Sequence, residues 1–119
     1  MIKAELRSKT PEQLFTLFWE AARKGHFALR PQQYNKMVEE MGRITKEMKT
    51  RTPDARHLLI ALLKDKIETV RYSAAASLLE VAEQEAVAVL EDLAADSRSD
   101  AGGFAELNLM RWRERKAQR

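Results

Sequence analysis

The second half of the chain repeats itself at an offset of 31 residues. Two leucines, an aspartate, an alanine and a third leucine recur in the same order. They are Leu59, Leu62, Asp65, Ala74 and Leu78 in the first unit, and Leu90, Leu93, Asp96, Ala105 and Leu109 in the second. Each unit predicts a helix, a short turn at the aspartate and a second helix. Because one such hairpin cannot bury its apolar face alone, the repeat predicts hairpins that stack on one another.

The prolines mark the starts of the predicted helices. Thr10, Pro11 and Gln13 form the pattern of an N-terminal capping box, in which the threonine and glutamine side chains each accept a hydrogen bond from the other's backbone N–H. Pro31 and Pro53 are interpreted as first-turn residues of the next two helices. No segment alternates apolar and polar residues over a useful length, so nothing in the sequence supports β-strands.

Apolar residues recur at helical spacing in the first half of the chain. One seam of the second predicted helix consists of Tyr34, Met37, Val38, Met41, Ile44 and Met48. We interpret its methionines as gap-filling core, in preference to an adaptable binding groove. The predicted fold is therefore all-α: an α-α superhelix of about three stacked antiparallel hairpins, at residues 10–50, 53–82 and 85–117, in a single domain of residues 1–119.

The first unit of the repeat resembles a HEAT repeat. The likeness is carried by residues 58–65, 70–71 and 74–78. It implies a HEAT-like fold in which Asp65 and Arg71 are structural residues, part of a ladder of charges and hydrogen bonds that links adjacent repeats. The second unit has Ala101 and Gly102 where valine and arginine are expected, and we interpret it as a terminal, atypical repeat.

Over nearly its whole length the chain also resembles a bacterial all-helical family, domain of unknown function two thousand and nineteen. The points of likeness, in their shared order, are Thr10 with Leu14, the run 34–36, Arg51, the pairs 70–71 and 74–75, and Trp112 near the end. The resemblance implies a HEAT-like fold in a bacterial protein. It implies no activity and no catalytic residue.

Composition and charge restrict the classes of function. The chain has no cysteine, and no segment reaches the roughly 20 apolar residues that span a bilayer, so we expect a cytoplasmic protein. The net charge of +3 is divided into blocks: residues 1–50 carry +4, residues 51–79 +2, residues 80–110 −7 and residues 111–119 +4. Such blocks are typical of solvated helix faces, but they also occur on acidic and basic partner surfaces. A homodimer that pairs opposite blocks is a further alternative.

The sequence contains few residues suited to catalysis. Its two histidines, His26 and His57, lie in no metal-binding spacing, and there is no glycine-rich phosphate loop or nucleophile elbow. Asp54 and His57 share a helix face, as an orienting carboxylate and a base would, but no candidate nucleophile accompanies them. We therefore predict that the protein is not an enzyme and has no catalytic residue, cofactor or metal site.

The second helix of the first repeat unit offers the most informative surface. With Val70, Ala74 and Leu78 towards the core, the residues that point broadly outward are Tyr72, Ser73, Ala76, Leu79 and Glu80. Second helices of HEAT hairpins line the concave, partner-binding side. We therefore predict four partner-binding residues here: Tyr72, Ser73, Ala76 and Glu80. Packing by a neighbouring helix is the alternative.

Two hypotheses of function follow. The first is a non-enzymatic protein–protein interaction module, such as a bacterial accessory or toxin-immunity protein, with Lys36 and Arg43 added to its partner-binding residues. The alternative is nucleic-acid binding through Lys36, Arg43 and Lys46 together with the basic C-terminus, where Trp112 lies among arginines and Arg119 ends the chain. For this C-terminus the competing interpretation is a helix whose cations complement the macrodipole, with Trp112 folded back on the preceding helix.

Overall fold

The structure, a computed structural model, describes residues 2–96 and 98–118. It confirms the all-α fold, because within these residues the chain forms helices and no β-strand. The α-helices are α1 (Lys3–Arg7), α2 (Pro11–His26), α3 (Pro31–Lys49), α4 (Glu68–Leu78), α5 (Glu83–Ala94) and α6 (Asp100–Ala117), and a 3-10 helix (Ala55–Lys64) lies between α3 and α4. The sequence does not predict α1, which is 5 residues long and buries Leu6.

Helix α2 begins at the predicted capping box. The Thr10 hydroxyl oxygen accepts a hydrogen bond from the Gln13 backbone N–H at 3.1 Å, and the Gln13 side-chain oxygen accepts one from the Thr10 N–H at 2.8 Å. Pro11 occupies the first helical position, where its missing N–H costs no hydrogen bond. The prediction for this helix start is confirmed.

The predicted helix start at Pro53 is wrong by two residues. The 3-10 helix begins at Ala55, and its N-cap is Asp54, whose carboxylate accepts a hydrogen bond from the Arg56 N–H at 2.9 Å. The Arg56 guanidinium lies 2.8 Å from the same carboxylate. Aspartate caps a helix better than threonine does, and here it also binds a cation, so Pro53 is left outside the helix.

The helices pack in pairs that follow one another along the chain. α2 packs against α3, the 3-10 helix against α4, and α5 against α6, and α4 also contacts α2, α5 and α6. Helix α4 is therefore central, and its residues Val70, Ala74 and Leu78 are completely buried. We call α2 and α3 the first hairpin, and α5 and α6 the last hairpin.

The repeated positions have the same environment in both units. The repeated leucines and alanines are all at most 5% exposed: Leu59, Leu62, Ala74, Leu78, Leu90, Leu93, Ala105 and Leu109. The aspartates also act alike. Oδ1 of Asp65 accepts a hydrogen bond from the N–H of Ile67 at 2.9 Å, and Oδ1 of Asp96 accepts one from the N–H of Arg98 at 3.2 Å. In both units of the repeat, the turn between the two helices is therefore closed by the same aspartate side-chain hydrogen bond to the backbone N–H two residues later.

Two predictions about the core are only partly right. Leu79 is predicted to point outward but is 3% exposed, because it lies four residues after the completely buried Ala75 on a face of α4 that other helices cover. Among the α3 methionines, Met48 is fully buried, whereas Met37 is half-buried and Val38 beside it is 44% exposed. Helix α1 and the 3-10 helix also pack against α3, and the completely buried Ile44 and Met48 lie in its second half. The first half of α3 is left closer to solvent.

Candidate partner-binding surfaces

Three aromatic rings join α3, α4 and α6. The Phe104 ring stacks on Tyr34 with 6.0 Å between ring centroids, and it lies 5.7 Å from the Tyr72 ring. The Tyr72 hydroxyl oxygen accepts a hydrogen bond from the Asn108 side chain at 3.0 Å. Burial, with smaller contributions from the neighbouring Tyr72 and Asp100, raises the pKa of Tyr34. Packing by α6 therefore occupies the part of the α4 face where Tyr72 lies.

The other predicted α4 residues are only partly available to a partner. Ser73 and Ala76 are half-buried. Glu80 is exposed, but its carboxylate accepts a hydrogen bond from the Arg56 guanidinium at 3.0 Å. Arg56 also binds Asp54, and this hydrogen bond is the main cause that lowers the pKa of Asp54 and raises that of Arg56. Glu80 therefore belongs to a cluster that ties the end of α4 to the 3-10 helix.

Asp65 and Arg71 lie at one turn but do not bind each other through their side chains. The Arg71 guanidinium donates to the backbone carbonyl oxygens of Asp65 at 2.7 Å and Lys66 at 3.3 Å. Oδ2 of Asp65 accepts a hydrogen bond from the Trp19 indole N–H at 3.2 Å, which links the first hairpin to the turn before α4. Sequence reasoning missed Trp19, because no local pattern relates residues 46 positions apart.

The basic residues of α3 alternate with acidic ones. Arg43 forms an ion pair with Glu40 at 2.9 Å, whereas Lys36 has no ion pair among the described residues. Further along α3, the Glu47 carboxylate lies 3.0 Å from Arg51. Although burial favours protonation of Glu47, hydrogen bonds from Arg51 and Thr50 outweigh it and lower the pKa of this carboxyl group. The exposed face of α3 is therefore of mixed charge.

Lys36 instead lies in a groove between the end of α2 and the start of α3. This α2–α3 groove has a volume of about 560 Å³ and is lined by Glu20, Arg23, Lys24, Phe27, Ala28, Gln33, Lys36 and Met37. Phe27 is 62% exposed, and Leu29, in the turn that follows, is 95% exposed. Sequence reasoning missed the groove. Its signal is the presence of large apolar residues in an inter-helix turn, where small and polar residues are usual.

The basic C-terminus folds back on α5. Trp112 is 6% exposed, and its indole N–H donates to a Glu83 carboxylate oxygen at 2.8 Å. Lys116 forms an ion pair with the same carboxylate at 2.7 Å, and Arg113 lies 3.0 Å from Glu91. Of the two interpretations of this segment, packing on the preceding helix is the one that the structure shows. Arg119 lies outside the described residues.

Helix α6 carries a second exposed apolar surface. Phe104, Leu107 and Met110 recur at intervals of three residues and are 38%, 44% and 53% exposed. We call these residues the α6 strip. On the opposite side of the helix, Ala105, Leu109 and Trp112 are buried, so that α6 presents apolar side chains to both the core and the solvent.

The histidines form no carboxylate-paired base. Nδ1 of His57 lies 3.1 Å from the backbone oxygen of Asp54, whose carboxylate binds Arg56 instead, so the Asp54–His57 pairing considered from the sequence is not formed. Nδ1 of His26 lies 2.7 Å from the Thr69 hydroxyl oxygen. Among residues 2–96 and 98–118, no group of three or more histidine or acidic side chains is placed to hold a metal ion. In the same part of the chain, none of the helices has the length and apolar character needed to cross a membrane.

Comparisons with known proteins define the relationship of the chain. A family described as "Domain of unknown function (DUF2019)" matches residues 12–111. The chain is also similar to the crystal structure of the protein RPA1889 from Rhodopseudomonas palustris CGA009, with 27% sequence identity, a TM-score of 0.86 and coverage of 92% of this chain and 93% of that chain. A comparison with curated proteins finds no match. Because the family match extends over most of its length, the chain belongs to the DUF2019 family.

Proposed function

We propose that the protein is a non-enzymatic interaction module, a short HEAT-like scaffold that binds another protein through the α2–α3 groove. The observation that carries this proposal is Phe27, a large apolar side chain that is 62% exposed in a groove with cationic walls. Exposed apolar surface rimmed by polar residues is typical of protein-binding sites, and aromatic anchors supply much of their binding energy.

The dimensions of the groove fit this role. Its volume of about 560 Å³ lies within the roughly 300–1,000 Å³ that is usual for pockets that bind small molecules, and a single side chain is no larger than such ligands. Its apolar lining comes from Phe27, Ala28 and Met37. An unbranched methionine side chain adapts to the shape of a bound group. The groove therefore has room for one large side chain of a partner and for the residues on either side of it.

The residues predicted from the sequence contribute unequally to this proposal. Lys36 lies in the groove. Tyr72 and Glu80 already have partners on α6 and on the 3-10 helix. Arg43 is paired with Glu40 on its own helix. A partner-binding role for the α4 residues, a cytoplasmic location and a role in toxin immunity stay predictions from the sequence.

Nucleic-acid binding has less support than protein binding. A phosphate backbone is bound by several cations without nearby carboxylates, and bases stack on exposed aromatic rings. On α3, Arg43 is paired and Glu40 lies between Lys36 and Arg43. In the basic C-terminus, Trp112 is 6% exposed and packs against α5.

A comparison of two surface variants tests the proposal. Phe27→Ala removes the exposed ring from the groove, and Met110→Ala removes a similarly exposed apolar side chain from the α6 strip. Both variants are expected to fold, because neither side chain is part of the core. Affinity purification from the native host, quantified by mass spectrometry, is expected to recover a protein that binds the wild type and Met110→Ala but is lost from Phe27→Ala.

Two results would contradict the proposal. In the first, no host protein depends on Phe27. In the second, the recovered protein is lost from Met110→Ala and kept by Phe27→Ala, which would assign the binding surface to α6. Circular dichroism of each variant shows that a loss of binding is not a loss of folding.

A further inference from the structure

We infer that the α2–α3 groove binds an acidic segment of a partner protein that presents one large apolar side chain. This inference rests on the proposed function and adds the chemistry of the partner. The apolar side chain of the partner lies against Phe27 and Met37. Carboxylates before and after it in the partner sequence reach the cations of the groove.

The charges of the groove favour an acidic occupant. It is lined by three cations, Arg23, Lys24 and Lys36, which we call the groove cations, and by one carboxylate, Glu20. None of the groove cations forms an ion pair within the described part of the chain. The Arg23 guanidinium lies 4.8 Å from the centre of the Trp19 ring, which leaves its N–H edge available to a carboxylate. Clustered cations of one sign in a concave surface attract an anionic ligand.

The apolar residues that line the groove place a second requirement on the ligand. A purely acidic ligand would leave the Phe27 ring in water, and a purely apolar ligand would leave the groove cations without partners. A segment with both features covers Phe27 and excludes water from the ion pairs around it. Ion pairs are stronger where water is excluded, because the local dielectric constant is lower. The arrangement therefore selects for an apolar anchor flanked by carboxylates.

Free nucleic acid satisfies only part of this chemistry. Its phosphates would meet the groove cations, and one base would stack on Phe27. Few cations line the groove, so only a short length of a phosphate backbone would be neutralised. An acidic protein segment with one large apolar side chain is the occupant that fits both the apolar residues and the cations of the groove.

A peptide titration tests the inference on the full chain. The probe is a fluorescein-labelled synthetic peptide with a central tryptophan between two pairs of aspartates, and binding is followed by fluorescence anisotropy. One control peptide has asparagines in place of the aspartates, and another has alanine in place of the tryptophan. A single-stranded oligonucleotide with the same label tests the nucleic-acid alternative.

Charge reversal supplies the matched variants. The double variant Lys24→Glu with Lys36→Glu reverses two groove cations, and Lys64→Glu with Lys66→Glu makes the same change in charge at two exposed lysines outside the groove. We expect the groove variant to bind the acidic peptide at least about tenfold more weakly than the wild type, and the control variant to bind within about threefold of it. Each control peptide is expected to bind more weakly than the acidic peptide, and added salt to weaken binding.

The outcomes separate the inference from the proposed function. The inference is wrong if the acidic peptide does not bind, if the asparagine peptide binds equally well, or if the oligonucleotide binds more tightly than the peptide. The groove-reversal variant is also tested against the host protein that depends on Phe27. If that protein still binds the reversal variant, the proposed function stands and only the acidic chemistry of the partner is wrong. If no host protein depends on Phe27, the proposed function itself fails.

Discussion

Two cations of the last hairpin form ion pairs within the hairpin, whereas the groove cations of the first hairpin form none among the described residues. In the last hairpin, Lys116 lies 2.7 Å from Glu83 and Arg113 lies 3.0 Å from Glu91, so α6 places two of its positive charges on carboxylates of α5. In the first hairpin, three positive charges of α2 and α3 line a groove whose lining contains one carboxylate, Glu20.

This difference shows that the net charge of a segment does not by itself indicate a partner-binding surface. Residues 80–110 carry −7 and residues 111–119 carry +4, which are the strongest local imbalances in the sequence. Two pairs of these opposite charges meet across α5 and α6, Lys116 with Glu83 and Arg113 with Glu91. Residues 1–50 carry +4 over a longer segment, and their groove cations form no ion pair with any residue that the structure describes. A charge block indicates a partner surface only when no helix packed against it carries the opposite charge.

The largest expected effect concerns how tightly the two hairpins are closed. A Cβ atom at Gly102, in the first turn of α6, would overlap the backbone carbonyl oxygen of Asp96 and lie 2.8 Å from that of Leu93. A Cβ atom at Gly25, in α2, would meet the Met37 Cβ at 3.5 Å, an ordinary contact. We expect Gly102→Ala to lower the free energy of unfolding by about 4 kcal/mol or more. Gly25→Ala should change it by no more than about 1 kcal/mol.

Urea unfolding followed by circular dichroism measures both variants. The two substitutions add the same methyl group, so the difference between them reports the space at each hairpin and not the residue type. Similar free energies of unfolding for the two variants would show that the last hairpin is not closed more tightly than the first.

The second prediction separates cations that stabilise the fold from those that surround the groove. The half-buried Arg71 donates to the carbonyl oxygens of Asp65 and Lys66, so Arg71→Ala should cost about 1–3 kcal/mol of stability. Arg71→Lys should recover only part of it, because an ammonium group lacks the forked donors of a guanidinium. The exposed Lys24 has no ion pair among the described residues, and Lys24→Ala should change stability by no more than about 0.5 kcal/mol.

Thermal unfolding of the three variants decides between these roles. If both Arg71 variants melt with the wild type while binding of the host protein disappears, Arg71 is a recognition residue. A large loss of stability in Lys24→Ala would instead show that the groove cations support the fold.

Much of the fold follows from local patterns in the sequence. The capping box at Thr10 and Gln13 depends on residues three positions apart, so the sequence predicts this helix start correctly. The repeated leucines and alanines predict the buried faces for the same reason, because helical spacing alone brings them to one side. The predicted start at Pro53 is two residues early, because Asp54 caps the 3-10 helix and its carboxylate binds Arg56, which also reaches Glu80 in the folded chain.

The candidate site depends on contacts that no local pattern contains. Whether Phe27 is exposed is decided by which helix covers the end of α2, and whether Lys36 is paired is decided by the side chains of a neighbouring helix. The link between Trp19 and Asp65 likewise joins residues 46 positions apart. The sequence shows Gly102 as a departure from the repeat, but the reason for a glycine there, the approach of the Asp96 carbonyl group, is a property of the folded turn.

The smallest expected effect concerns which carboxylates determine the response to acid. The folded pKa of Asp54 is lowered chiefly by its hydrogen bond with Arg56, so this carboxylate stabilises the fold fully above its unfolded pKa of about 3.9. The stabilisation is lost as the pH falls through the lower, folded pKa. Asp54→Asn keeps a capping side chain but removes the charge, and should cost about 1 kcal/mol at neutral pH. Below pH 3 the difference from the wild type should shrink, because the wild-type aspartate becomes neutral.

Glu91→Gln is the matched control from the last hairpin. Its ion pair with Arg113 has both side chains more than half exposed, and such pairs contribute about 0.2–1 kcal/mol at most because water and salt screen them. Urea unfolding at several pH values should therefore give Glu91→Gln a stability curve that runs parallel to that of the wild type, while Asp54→Asn gives a flatter one. A flatter curve for Glu91→Gln alone would mean that the paired charges of the last hairpin, and not the ion pair of Asp54 with Arg56, determine how the fold responds to acid.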